Sequence, residues 1–158
     1  MIKVSTYLTK LASLISERNT INEKAKRVLN TPFLLGNIGE FVCGNIFDIR
    51  LNDNRSHKGF DGVFVNGKFK GKSVNIKFYS KNDYILDLKN QVNCDYYLVL
   101  TGSKGTDNWN ISDVYLFNTE ELLNNLSGFN VKIGVATSVR KVLWIKVEFI
   151  QDLTMFIS

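Results

Sequence analysis

The sequence predicts a mixed α/β domain built around a central sheet, with a helical N-terminus. Three observations carry this. Apolar residues in roughly the first third recur at helical spacing: Val4, Tyr7, Leu8, Leu11, Leu14 and Ile15 fall on one stripe. Beyond about residue 47 the period shortens to alternation, with short apolar runs separated by glycine, asparagine and serine. Pro32 is the only proline, and no linker, repeat or low-complexity segment divides the 158 residues. Helices first and a strand-rich middle with one or two crossovers fit a single α/β domain over 1–158.

The elements follow in order. The first helix is expected over 4–17 and a short second over 22–29. Thr31-Pro32 reads as a cap followed by proline at the first helical position, opening a third helix with Phe33, Leu34, Ile38, Phe41, Val42 and Ile46. Gly36 and Gly39 are unusual inside it, each costing about 1 kcal/mol against alanine, and suggest close packing. Strands are expected near 47–51, 60–65, 72–79, 95–101, 113–117, 131–136 and 142–149. Asn66-Gly67 is a hairpin signal between two of them. A helix or irregular crossover occupies 83–91. A last helix covers 119–126, opened by Asn118 or Thr119 and stopped by Ser127-Gly128.

Composition bounds the function. The chain is 44% apolar and 12% aromatic, enough for one core. A formal charge of +5 and a pI near 9.2 lean mildly toward polyanionic partners. Cys43 and Cys94 are too few and too far apart for a disulfide framework or a zinc site. No signal peptide opens the chain and no apolar run reaches the about 18 residues that cross a bilayer, so a cytoplasmic protein with no membrane partner is expected. Gly71-Lys72-Ser73 is not a phosphate loop, because Asn66 stands where its first glycine belongs and a strand follows where a helix is required. No Gly-x-Ser-x-Gly or Gly-x-Gly-x-x-Gly motif occurs.

The chemistry concentrates between His57 and Tyr79. Lys58-Gly59-Phe60-Asp61-Gly62 precedes the hairpin signal, and Val74-Asn75-Ile76-Lys77-Phe78 follows it. Alternation puts Asn75 and Lys77 on one face and Val74, Ile76 and Phe78 on the other. A hairpin returns Asp61 beside Asn75 and Lys77. A carboxylate for a hard cation next to a lysine is the equipment of metal-assisted phosphodiester hydrolysis. Glu40, after Gly39 and before Phe41-Val42, sits at the edge of the apolar stripe of its helix, where it can lean over the sheet.

The order helix glutamate, Gly-Phe-Asp-Gly, then a strand ending in x-Ile-Lys resembles the PD-(D/E)xK nuclease superfamily, which includes type II restriction endonucleases and archaeal Holliday junction resolvases. The resemblance covers about residues 33–101. It is also similar to uncharacterised bacterial and archaeal members carrying Lys-Gly-Tyr-Asp and Gln-Ile-Lys. It implies a restriction-endonuclease-like fold and a DNA endonuclease dependent on Mg²⁺ or Mn²⁺. Asp61 would hold the metal with Glu40, the main-chain carbonyl of Ile76 and Asn75, and Lys77 would be the motif lysine. The family position at 75 is usually Glu, Asp or Gln. An asparagine there can ligate without charge, which keeps open a catalytically inactive DNA-binding or protein-interaction module on the same fold. Symmetric cutting of two strands needs two sites, which a homodimer would supply. Arg55, His57, Lys58, Lys72, Lys81 and Lys104 are the candidate phosphate contacts, with Trp109 beyond Lys104 as a stacking candidate.

Overall fold

The structure is a computed structural model that describes residues 6–53, 59–103 and 108–147. Helix α1 spans Thr6–Leu29 and α2 spans Leu35–Ile46. Strands β1 (Ile49–Leu51), β2 (Gly62–Phe64) and β3 (Ser73–Tyr79) follow, then β4 (Ile85–Leu86), β5 (Tyr96–Thr101) and β6 (Asp113–Asn118). Helix α3 (Thr119–Ser127) and the two-residue β7 (Thr137–Ser138) complete the order. The main sheet runs β1-β2-β3-β5-β6, with β3 and β5 parallel and the other neighbours antiparallel. β4 and β7 pair in a second, two-stranded sheet. The mixed α/β class expected from the sequence is therefore observed.

β3 is the middle strand and its alternation is strict: Val74, Ile76 and Phe78 are buried while Ser73, Asn75, Lys77 and Tyr79 are half-buried. Its buried residues join Val42 and Cys43 of α2, Phe64 and Leu98 in one core. The opposite face of the sheet gathers Tyr97, Val99, Tyr115 and Phe117 with Leu122 and Leu126 of α3. Helices therefore cover both faces of a sheet whose central strand is flanked on both edges. α2 lies close because Gly39 has no side chain: a Cβ there would stand 2.9 Å from the Cβ of Phe78. The close packing read from that glycine is what the structure contains.

Several boundaries differ from expectation. The two N-terminal helices are one, because Thr20 donates its hydroxyl to the Ser16 carbonyl at 3.2 Å and so satisfies itself inside the helix. α2 starts at Leu35 rather than Pro32. The Pro32 carbonyl accepts from the Leu34 N–H and from the Asn37 amide, closing a turn ahead of the helix, and Leu34 is extended. Residues 131–136 form no strand: Ile133 packs into the second core, but Val135 is exposed and no ladder partner lies beside the run. In place of a strand at 142–149, a 3-10 turn spans Lys141–Leu143 and Lys146 makes a single bridge to Tyr115, the last residues of that run lying outside the described ones. The crossover between β3 and β5 is irregular except for β4. The last helix conforms, with the Asn118 side chain accepting from the Glu121 N–H at 3.0 Å.

Candidate functional site

The β2–β3 connection sets the site. Asn-Gly as a two-residue turn would put Asp61 opposite Lys72. Instead Gly67–Phe69 forms a 3-10 turn, Gly67 and Gly71 take φ of +69° and +81°, and the register pairs Gly62 with Val74. That longer loop brings Asp61 opposite Asn75. Asp61 donates its N–H to the Val74 carbonyl at 2.9 Å, the last ladder bond before β2 diverges from β3. The next outward N–H on β3 belongs to Ile76. It has no backbone acceptor on β2, and the Asp61 carboxylate takes its place: Oδ2 accepts from Ile76 N–H at 2.6 Å. The side chain caps a fork between two strands. Main-chain groups two residues apart on a strand point the same way, so the Ile76 carbonyl also faces this fork.

The carboxylate is half-buried and its charge is felt from both sides of the sheet. Burial pushes the Asp61 pKa above the usual carboxylate range, opposed by the Ile76 hydrogen bond and by the charges of Lys77 and Lys89. On the α2 side, burial drives the Cys43 thiol well up, and Asp61 and Glu40 add to it. On the other side, Tyr97 is raised by burial first, with Asp61 contributing. Glu40 therefore acts on the same buried thiol as Asp61, one helical turn before it on α2. Cys43 is inert as a nucleophile at neutral pH.

Asn75 has a defined orientation. Its Nδ2 faces the Gly59 carbonyl at 3.4 Å, and Asn93 donates Nδ2 to the same oxygen at 2.9 Å. A carbonyl only accepts, so both amides must present nitrogen to it. That leaves Oδ1 of Asn75 and Oδ1 of Asn93 buried without a hydrogen-bond partner among the described residues. Unpaired buried oxygens are uncommon and each costs about 1–3 kcal/mol. Gly59 itself is required, since its φ is +130° and a Cβ would meet the Asn93 carbonyl at 3.0 Å.

Lys77 is half-buried on β3, beside Val99 of β5. The ion pairs among the described residues are Lys72–Asp95 at 3.2 Å, Lys81–Asp83 at 3.9 Å and Lys146–Asp113 at 2.6 Å, so none of them engages Lys77. Lys72 and Lys81 flank β3 at its two ends, each beside an acid. Asp95 is a built contact: burial raises its pKa, but the Ser73 N–H and hydroxyl and the Lys72 ammonium outweigh this and hold it low. Arg55, His57, Lys58 and Lys104 lie outside the described residues. Trp109 is half exposed, its ring edge-on to Phe33 with centroids 5.4 Å apart.

Two residues of the site escaped the sequence reading. Lys89, whose charge acts on Asp61, comes from the crossover, and its N–H reaches the Tyr97 hydroxyl at 3.4 Å. Asn93 comes from the loop before β5. Neither carries a local signal. Only the return of the chain to pair β5 parallel with β3 brings them to Asp61. Among the described residues no three His, Cys, Asp or Glu side chains converge as a metal-holding group. The oxygen-bearing groups on the paired strands are the Asp61 carboxylate and, at the opposite position, the Asn75 side chain. No family model matches the chain, and no curated protein matches it either.

Proposed function

We propose that this chain hydrolyses phosphodiester bonds of DNA with the help of a divalent cation, Mg²⁺ or Mn²⁺. The observation that carries the reading is the fork at Asp61. Asp61 Oδ2 is fixed by Ile76 N–H, and Asn75, whose Oδ1 has no partner among the described residues, stands at the opposite position on β3. An unpaired buried amide oxygen beside a carboxylate suits a hard cation. Asp61, Asn75 and the Ile76 carbonyl would hold it, with Glu40 as the additional acid that the resemblance to PD-(D/E)xK nucleases implies. The cation would polarise a phosphoryl oxygen and acidify a bound water.

The residues themselves divide the work. Burial raises the Asp61 pKa, and the Ile76 N–H and the charges of Lys77 and Lys89 oppose this by favouring the ionised form. Lys77, engaged in no ion pair among the described residues, orients the attacking water and neutralises charge developing on the phosphorus oxygens. Lys89 adds a second positive charge at the same carboxylate. The mildly basic balance of the chain supports a polyanionic substrate.

A second reading is favoured by Asn75 itself, which replaces a charged ligand by a neutral one and weakens cation affinity. It makes the chain a DNA-binding module without the reaction. Plasmid nicking separates the two. Nicking with Mg²⁺ or Mn²⁺ that EDTA and Lys77→Ala abolish supports the enzyme. Salt-sensitive DNA binding with no cutting in either metal supports the module. Absence of both at low salt rules out a nucleic-acid role.

A further inference from the structure

We propose that α1 is a dimerisation helix, which pairs antiparallel with α1 of a second copy of this chain. The inference does not depend on the nuclease reading. α1 is 24 residues long, about 36 Å, and buries none of its side chains. Its first sixteen residues are all exposed. Only Asn22, Ala25 and Leu29 near its C-terminal end are half covered by the rest of the protein. Yet the helix is amphipathic. Tyr7, Leu14, Ile21 and Val28 repeat every seven residues and stand 82%, 59%, 56% and 69% exposed. Leu11 lies between the first two on the same stripe, and Leu8 and Ile15 border it. Seven-residue spacing with a second position four residues on is the seam of a helix pair. So long an apolar stripe is rarely left in water, and a helix packed only near one end gains little stability from propensity alone.

The sequence of α1 fits its own reverse. When two such helices overlap along their full length, residue i of one faces residue 35 − i of the other. Tyr7 then meets Val28, and Leu14 meets Ile21, each contact occurring twice by symmetry. Leu11 falls into the gap between Ile21 and Val28 of the second copy. In the same register Glu17 faces Arg18. The parallel alternative stacks Lys24, Lys26 and Arg27 against their own copies at one end. The antiparallel one separates those clusters by roughly 26 Å along the axis, about three screening lengths of about 8 Å at physiological salt. Its like-charge approaches, Lys10 with Lys24 and Lys26 and each of Glu17 and Arg18 with its own copy, are offset by one residue, and Glu17 and Arg18 of the two copies neutralise each other. Ile21 and Val28 remain exposed beside the half-covered Asn22, Ala25 and Leu29.

The area is sufficient. A large aliphatic side chain offers about 60–120 Å² of apolar surface. Seven of them on each copy reach the lower part of the about 1,200–2,000 Å² that specific interfaces bury in total. A dissociation constant of about micromolar order suits that size.

The test uses the full chain in sedimentation velocity from about 1 to 100 µM. Wild type is expected to shift from monomer to dimer across that range. Leu14→Glu should weaken association at least about a hundredfold by burying unpaired charge in the seam, whereas Ser16→Glu on the polar face should leave it unchanged. Unaltered circular dichroism and thermal midpoint of Leu14→Glu would show that the fold survives, since Leu14 touches no core residue. Orientation is read by mixing Tyr7→Cys with Val28→Cys. The two variants should cross-link to each other, and neither to itself. The native Cys43 and Cys94 are buried and stay silent. A wild type that remains monomeric at 100 µM, or a Leu14→Glu variant that dimerises like wild type, overturns the proposal. So does self-cross-linking of Tyr7→Cys. A monomer that instead binds anionic lipid vesicles through Leu14 would assign the stripe to a membrane surface and equally refute the dimer.

Discussion

Replacing Asp61 by alanine and by asparagine separates its two duties. Alanine removes the acceptor for the Ile76 N–H, a 2.6 Å bond on a buried residue of the central strand. Leaving that donor unpaired costs about 1–3 kcal/mol. For a chain of this length each kcal/mol shifts Tm by about 2–4 °C, so Asp61→Ala should melt about 2–12 °C below wild type. Asparagine keeps an oxygen in place and loses only the charge. Burial raises the Asp61 pKa from its ordinary 3.8, so the folded state holds this proton more tightly than the unfolded one. The charged form is therefore disfavoured by folding at pH values above the raised pKa. That penalty is relieved as pH falls through the folded value, and the relief is complete below the unfolded 3.8. At pH 7, Asp61→Asn avoids the penalty but makes a weaker bond, and should lie within about 1 kcal/mol of wild type. On acidification toward pH 4, wild type should gain relative to Asp61→Asn. Urea unfolding at pH 7 and pH 4, with plasmid nicking in Mg²⁺, reads all of this. Both variants should lose nicking. An alanine variant as stable as wild type would show that Asp61 does not cap the fork. An asparagine variant that nicks like wild type would remove the carboxylate from the proposed metal site.

Other substitutions test the neighbouring parts. Asn75→Glu restores a charged oxygen beside Lys77 and should tighten Mg²⁺ or Mn²⁺ binding by calorimetry; unchanged metal affinity would mean that residue 75 does not face the cation. Gly102→Ala should destabilise by about 1–3 kcal/mol, because a methyl there collides with the Ser80 carbonyl just past the end of β3; an unchanged urea midpoint would contradict this. Trp144 meets Tyr84, Tyr115 and Phe117 edge-on with centroids 5.7, 4.9 and 5.1 Å away. Trp144→Ala should therefore cost about 3–5 kcal/mol and lower Tm by roughly 10 °C or more. A loss under 1 kcal/mol would show that the C-terminal stretch does not hold the second core together. If DNA is the partner, its affinity should fall linearly on a log–log plot against salt, with slope set by the phosphates contacted. A flat plot would exclude that partner.

The sequence alone determined the class of fold and the faces of its central strand. Period-two alternation from Val74 to Phe78 fixes which side chains enter the core, because successive residues of a strand point to opposite sides. It also put Asn75 and Lys77 together, and Gly39 signalled a close helix. Local chemistry was enough for these, since each depends on residues a few positions apart. The tertiary structure decided the rest. Asn-Gly suggested a tight turn, but a 3-10 turn lengthened the loop by three residues and thereby set Asp61 opposite Asn75. The role of Asp61 as the acceptor for Ile76 N–H exists only because β2 leaves β3 at that residue. Lys89 and Asn93 reach the site through the parallel pairing of β3 with β5, a contact between strands separated by an irregular crossover. Conversely, the stripe on α1 was plain in the sequence, where helical spacing of apolar residues reads as a buried face. The fold leaves that face in solvent, because periodicity specifies that a face seeks cover and does not specify what provides it.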